Sequence, residues 1–429
     1  MSAFRHELRG VFGRAAAYRR TMRDQRLPSS PGFWRSPLRG PRFTAVFGVV
    51  LLVGITLLFV TGLLSYAAYN PDLSPVNDQT PDKGLLGFYL FSWPTDPHWL
   101  YRLTQGVHVT LGLTLIPVLL AKLWSVVPRL FALPPARSVA HALERISLIL
   151  LVGGALFQFT TGVLNVQVDY VFPGSFYTLH FYGAWVFFAA FVVHAALKFP
   201  TAVRNLRGLR AEEGDLVPPR PAEPTVSRRG AFGLVSGASL LMFVTTAGRS
   251  FDGPLRETAV LAPRGGPQPG SGPGGFQINK TAAYAGIDRR ETSDEAWRLV
   301  VTGRFGVVRL SRDELLGLPL HSAALPIACV EGWSTSDQWW RGVRLRDLAA
   351  LVGHDEPTDV LVESLQRHGA FRHAAMRANQ VADPRSLLAL DVNGEPLTLD
   401  HGYPARIIVP AAPGVLNTKW VTRMTFGDL

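Results

Sequence analysis

Four histidines and one cysteine are the residues of this 429-residue chain whose types and spacing point to redox chemistry. His180 and His194 stand fourteen positions apart; on a helix that is about 21 Å of rise and within about 40° of the same face. His108 and His141 fall at the edges of two other apolar stretches. Cys329 is the only cysteine, which excludes an intramolecular disulfide framework, a Cys-ligated iron–sulfur cluster, a Cys-pair zinc site and covalent c-type haem attachment. A redox cofactor would therefore be held by imidazoles, or by this single thiolate.

The elements that position these residues follow from hydropathy and charge. The chain is 47% apolar and 17% charged, with a net charge of +11. Residues 1–249 hold 24 Lys and Arg against 12 Asp and Glu, whereas residues 250–429 hold 19 against 20. The first part has five stretches free of these four residue types: Arg42 to Asp72, Arg102 to Lys122, Arg145 to Asp169, Asp169 to Lys198, and Arg229 to Arg249. Each is long enough as a helix to cross a hydrocarbon layer of about 30 Å. Asp169 with Phe172-Pro173-Gly174 predicts a tight connection between the third and fourth. Arginine dominates residues 1–42 and the connections near 122–145 and 198–229. By the positive-inside rule the expectation is a multi-pass cell-membrane protein, N-terminus cytoplasmic and residues 250–429 extracytoplasmic. The positive charge is then a topology signal, and no nucleic-acid partner is expected.

On that topology His108 and His180 share one depth and His141 and His194 another. Ionisable side chains inside an apolar span are costly and mark functional sites, and two imidazole pairs support bis-imidazole ligation of one or two b-type haems. A weak repeat accompanies them: Thr61-Gly62-Leu63-Leu64 and Thr161-Gly162-Val163-Leu164 each precede a helix that opens with one histidine of the His108/His180 pair. With Gln105-Gly106-Val107-His108 and His141-Ala142-Leu143-Glu144-Arg145, these features make residues 43–200 resemble the four-helix cytochrome b family of bacterial membrane oxidoreductases. The resemblance also implies haem.

Beyond a Gly/Pro-rich linker, short alternating apolar runs at Arg298–Val301, Val307–Leu310 and Val360–Val362, and an Asn393-Gly394 hairpin signal, predict a mixed α+β domain. Cys329-Val330-Glu331-Gly332-Trp333-Ser334, His401-Gly402-Tyr403-Pro404-Ala405-Arg406, and Asn417-Thr418-Lys419-Trp420 resemble the sulfite oxidase fold, closest to the periplasmic protein-methionine-sulfoxide reductase catalytic subunit. The resemblance covers about residues 276–429. It implies that Cys329 ligates molybdenum held by molybdopterin, with Glu331 near the metal. It implies too that His401, Arg406, Asn417, Thr418 and Lys419 hold the pterin phosphate, with Asn279 and Ser364 as lesser contacts. Ser334, Thr335 and Ser336 stand where sulfite oxidases carry a substrate arginine, which weakens sulfite as substrate.

The expected organisation is a basic segment 1–42, a four-helix transmembrane domain 43–200, a basic loop 201–230, a fifth helix 231–248, a linker 249–275 and a molybdopterin domain 276–429. Before the fifth span, Ser227-Arg228-Arg229-Gly230-Ala231-Phe232 approximates a twin-arginine export signal. The expected function is oxo transfer coupled through haem to membrane quinone or quinol, on a small-molecule or protein-bound sulfoxide. The alternatives are oxidation of sulfite or another small molecule, and a membrane-anchored binding or sensor protein. A transporter is disfavoured, because no span carries a charge at its centre.

Overall fold

An apolar stretch with no polar face has nothing to turn toward water, and its backbone groups are best satisfied within a helix. The computed structural model of the chain describes residues 27–29, 33–73, 91–131, 138–167, 174–208, 221–251, 253–261 and 274–429. Asp169 with the Phe172-Pro173 break, most of the basic N-terminal segment, part of the basic loop and most of the linker lie outside them. The five apolar stretches form α1 (Pro41–Ala67), α2 (Leu100–Leu130), α3 (Val139–Gln167), α4 (Phe176–Leu206) and α5 (Arg228–Thr246). All five are long and apolar enough to cross a membrane. Val53, Ile149, Val186 and Leu240 are exposed on them, as expected of surfaces that face lipid.

The chain divides into two compact units, one drawing on residues 1–56, 114–157 and 185–241, the other on 57–113, 158–184 and 242–429. In the first, Lys122 donates to the Thr44 carbonyl at 2.7 Å and the Thr44 hydroxyl donates to Ser125 at 3.0 Å, joining α1 to α2. Gly154 lets α3 approach α4, since a Cβ there would lie 2.9 Å from that of Phe187. His141 and His194 belong to this unit. Lys198, one turn past His194, pairs with Glu144, one turn past His141, at 3.1 Å.

The second unit contains two five-stranded sheets. One runs β2 (Gly306–Leu310), β1 (Leu299–Gly303), β10 (Val421–Phe426), β5 (Val360–Ser364), β6 (His373–Met376). The other runs β3 (His321–Leu325), β4 (Gln338–Arg344), β7 (Leu387–Val392), β8 (Glu395–Pro396), with β9 (Arg406–Ile408) also on β7. β1 and β10 pair in parallel, bringing the C-terminal strand beside the first. The three apolar runs became β1, β2 and β5. The Asn393-Gly394 turn joins β7 to β8 with φ of 51° and 89°, the left-handed values a two-residue hairpin requires. Trp297, Leu299, Leu345, Leu388, Ile407 and Met424 lie in one core cluster and Trp333, Trp340 and Ile408 in another.

Candidate active site

Cys329 sits in a tight turn next to the second core cluster. Its N–H donates to the Trp333 carbonyl at 2.8 Å, and Gly332 N–H donates back to its carbonyl at 3.0 Å. Ala328 bridges both Ser334 and Pro413, so the residues on either side of the thiol are pinned. Gly332 has φ of 85°, and a Cβ there would lie 2.6 Å from that of Val109. The turn thus rests on α2. Gln105 of α2 donates to the Val330 carbonyl at 2.5 Å and accepts from Ser65 at 2.7 Å. Ser250, just past α5, donates to the Gly332 carbonyl at 2.6 Å and accepts from Ser334 at 2.8 Å. Glu331 accepts from the Trp333 indole at 3.0 Å.

The same unit holds two buried cations. Arg406 donates to the His401 and Asn417 carbonyls at 3.0 and 3.2 Å, while its Nε and the Asn417 Nδ2 are buried with no hydrogen-bond partner. Lys419 donates to the Lys280 and Asp400 carbonyls at 2.7 and 2.8 Å. Neither cation forms an ion pair with a described acid. Burial pushes the Arg406 guanidinium down to about 9, and burial with Arg406 and Lys280 nearby holds the Lys419 ammonium well below its ordinary value. Gly402, at φ of 112°, lets the two approach: a Cβ there would lie 3.0 Å from Arg406 and 3.1 Å from Lys419. Two buried cations with orphaned donors beside them suit an anionic ligand better than they suit an empty core. The residues present at Arg406, Asn417 and Lys419 therefore fit a phosphate-bearing cofactor.

The other predicted contacts divide. Thr418 is buried, with its hydroxyl on the Leu416 carbonyl at 3.4 Å. His401 spends both ring nitrogens on the protein, on Thr398 Oγ1 at 2.8 Å and the Phe276 carbonyl at 3.3 Å. Burial, with Arg406 and Lys419 nearby, lowers its imidazole to about 4. Ser364 donates to the Lys419 carbonyl at 2.7 Å, a strand-end role. Asn279 is half-buried and makes no hydrogen bond among the described residues. Residues that sequence reasoning missed include Lys280, Tyr69, Tyr101 and Tyr177, and Gln105 was marked only as part of the segment that ends in His108. Tyr69 and Tyr101, their hydroxyls 3.4 Å apart, share a packed cluster with Ala328, and Tyr177 and Val330 pack against it.

His108 and His180 face each other in this unit, ring centroids 6.3 Å apart and planes at 81°. His108 Nδ1 lies 3.0 Å from the Leu58 carbonyl and 3.1 Å from Thr61 Oγ1. A carbonyl only accepts, so Nδ1 carries the proton and Nε2 keeps its lone pair. His180 Nδ1 lies 3.1 Å from Thr161 Oγ1, and the Thr161 hydroxyl is also within 3.2 Å of the Gln158 carbonyl, an arrangement compatible with the same tautomer. The two Thr-Gly tetrads are thus the hydrogen-bond partners of the two histidines. Gly62 and Gly162 face the same rings, an added Cβ lying 3.2 and 3.9 Å from the Cε1 atoms.

Residues 286–428 match the family described as oxidoreductase molybdopterin binding domain. This C-terminal part of the chain is a molybdopterin-binding domain of the sulfite oxidase type, which supports a molybdopterin-dependent oxidoreductase. Mitochondrial sulfite oxidase of Mus musculus is 33% identical over 156 residues, covering 30% of this chain and 29% of that protein. The uncharacterized oxidoreductase YuiH of Bacillus subtilis (strain 168) is 30% identical over 131 residues, 30% of this chain and 65% of that protein. A nitrate reductase [NAD(P)H] of Hordeum vulgare is 37% identical over 94 residues, 20% of this chain and 10% of that protein. The chain therefore spans less than a third of the mitochondrial sulfite oxidases and about two thirds of the bacterial relative.

Proposed function

We propose that the chain is a membrane-bound, molybdopterin-dependent oxidoreductase that performs oxo transfer at Cys329 and exchanges electrons with the membrane quinone pool through one or two b-type haems. The N-terminus is cytoplasmic and the molybdopterin domain extracytoplasmic on this reading, and the substrate is of sulfoxide type. The observation that carries it is the hydrogen bond from Gln105 to Val330, which seats the turn of Cys329 on the helix of His108.

The chain's own residues have distinct parts. Cys329 would supply the thiolate ligand, in a turn too constrained to shift. Arg406, Lys419 and the Asn417 amide would hold the phosphate of the pterin, and His401, fixed at both nitrogens, positions Arg406 through its carbonyl. Molybdenum in its pterin dithiolene, when bound, supplies two-electron exchange of an oxygen atom with substrate, and haem supplies one-electron transfer. His108 and His180, with ring centroids 6.3 Å apart, are the residues that would hold the haem iron between them. His141 and His194 are the candidates for a second haem, on helices joined by the Glu144–Lys198 pair.

Metal analysis with reduced-minus-oxidised spectra of the purified chain tests the proposal. Cys329→Ser is expected to abolish oxo transfer and leave a b-type haem spectrum intact. Retained activity, or a chain holding neither molybdenum nor haem, refutes it. Sulfite is the second reading, supported by the named activity of the animal relatives; reduction of the haem by sulfite, with no response to a sulfoxide, would establish it instead.

A further inference from the structure

Within its unit the molybdopterin domain meets the helical part of the chain at more than the Cys329 turn. Three residues past α1, Asn70 takes a φ of 50° and turns the chain out of the helical path. Its side-chain amide donates to the Ala375 carbonyl of β6 at 3.2 Å and to Gln380 Oε1, in the short helix Ala378–Ala382, at 2.9 Å. Asp72 pairs with Arg377, whose other terminal nitrogen pairs with Asp359 at 2.6 Å. Ahead of α2, the Trp93 indole donates to the Ala411 carbonyl at 2.8 Å, and the Trp93 carbonyl accepts from Asn379 at 2.9 Å. The Ala411 N–H donates to the His98 carbonyl at 2.9 Å, and Arg385 pairs with Asp96 at 2.8 Å.

We propose that the face made by β6, Arg377, Asn379, Gln380 and Ala411 is a lasting docking surface for the segments around Asn70 and Trp93, and that this contact, rather than the covalent linker, holds the domain in place. Two properties of the contact lead there. It is dry: Asn70 is 2% exposed, Trp93 1% and Gln380 0%. Ala68, Tyr69 and Trp93 also share a single core cluster with Phe371, Ala374, Ala411 and Leu416. Domains that part and rejoin meet through small, polar surfaces, whereas one packed like a protein core marks a permanent association. Parting would also bring Leu73, Trp93 and Phe371, all buried, into water together. The linker then sets only the effective concentration at which the domain first finds this face.

Site-specific proteolysis separates the two attachments. A protease site is placed within residues 262–273 of the full-length chain, and the detergent-solubilised protein is cut to completion. Residues 274–429 then have no covalent link to any of the five helices, and they are expected to stay with the rest of the chain through gel filtration. Asp72→Ala combined with Trp93→Ala, both outside the molybdopterin domain, should raise the rate at which the cut domain leaves about 100-fold or more. Elution of the released domain as a compact monomer shows that its own fold is intact. If the double variant does not accumulate, Asp96→Lys, an exposed change that sets a like charge against Arg385, should speed release about threefold or more at low salt. Separation of the wild-type fragments on cutting overturns the proposal. Release that neither the double variant nor Asp96→Lys changes overturns it as well. The readout needs neither molybdenum nor haem, so it stands or falls apart from the oxo-transfer reading.

Discussion

Gln105 donates its side-chain amide to the carbonyl of Val330, across 225 positions of sequence. One turn further along α2 stands His108, and one residue before Val330 stands Cys329. Ser65 fixes the other end of the Gln105 amide, so its orientation is set from both sides. A single side chain thus ties the residues proposed to hold two different cofactors.

The histidine tautomers rest on unequal support. His108 has both Leu58 and Thr61 on its Nδ1, whereas for His180 the Thr161 hydroxyl is the partner. Thr161→Val should therefore loosen haem more than Thr61→Val, by about 10–100-fold in affinity for a lost outer partner. Haem retention on dilution, read from the Soret band, checks the order. His180→Ala or His108→Ala should remove the band.

Arg406 and Lys419 should make the cofactor-free protein responsive to anions. Inorganic phosphate at ten times its Kd is expected to stabilise it by about 1.4 kcal/mol, raising Tm by roughly 2–4 °C. Arg406→Met should flatten that response and lower molybdenum content in the loaded protein. A scanning-fluorimetry titration that moves both proteins alike would argue against the phosphate role.

Gly332 tests how tightly the Cys329 turn is seated. Alanine there meets Val109 and must adopt positive φ, a cost of about 2–4 kcal/mol from backbone conformation and overpacking together. Adding Val109→Ala should restore the packing share and leave the backbone share. Denaturant titration of the two single variants and the double one separates these parts.

His401 predicts an acid limb of stability. Its imidazole is lowered to about 4 in the folded chain, against about 6.5 when unfolded. Between those values the unfolded chain binds the extra proton, so the contribution is full above about pH 6.5 and is lost as pH falls toward 4. The loss is on the order of 2–3 kcal/mol, and His401→Gln should flatten it in urea titrations across that range.

Much of this was legible in sequence where the signal is local. The five helices follow from unbroken apolar stretches, and the Asn393-Gly394 hairpin from two residues that tolerate positive φ. The Thr-Gly repeat marked the elements that hold His108 and His180 because helix spacing alone brings a tetrad opposite a neighbouring helix end. The tyrosines were not legible. Tyr69, Tyr101 and Tyr177 lie at helix ends, where aromatic residues are ordinary, and their relation to Cys329 exists only through contacts between distant parts of the chain. Lys280 was equally hidden, since its carbonyl rather than its charge is what Lys419 uses.

Ser250 holds the Gly332 carbonyl immediately after the fifth helix, while Gln105 holds Val330 from the second. A turn held by the second helix and by the residue four positions past the fifth is fixed to the unit that contains His108 and His180. Electron delivery to Cys329 would then be set by distance and driving force, and its rate should not fall as the viscosity of the solvent rises.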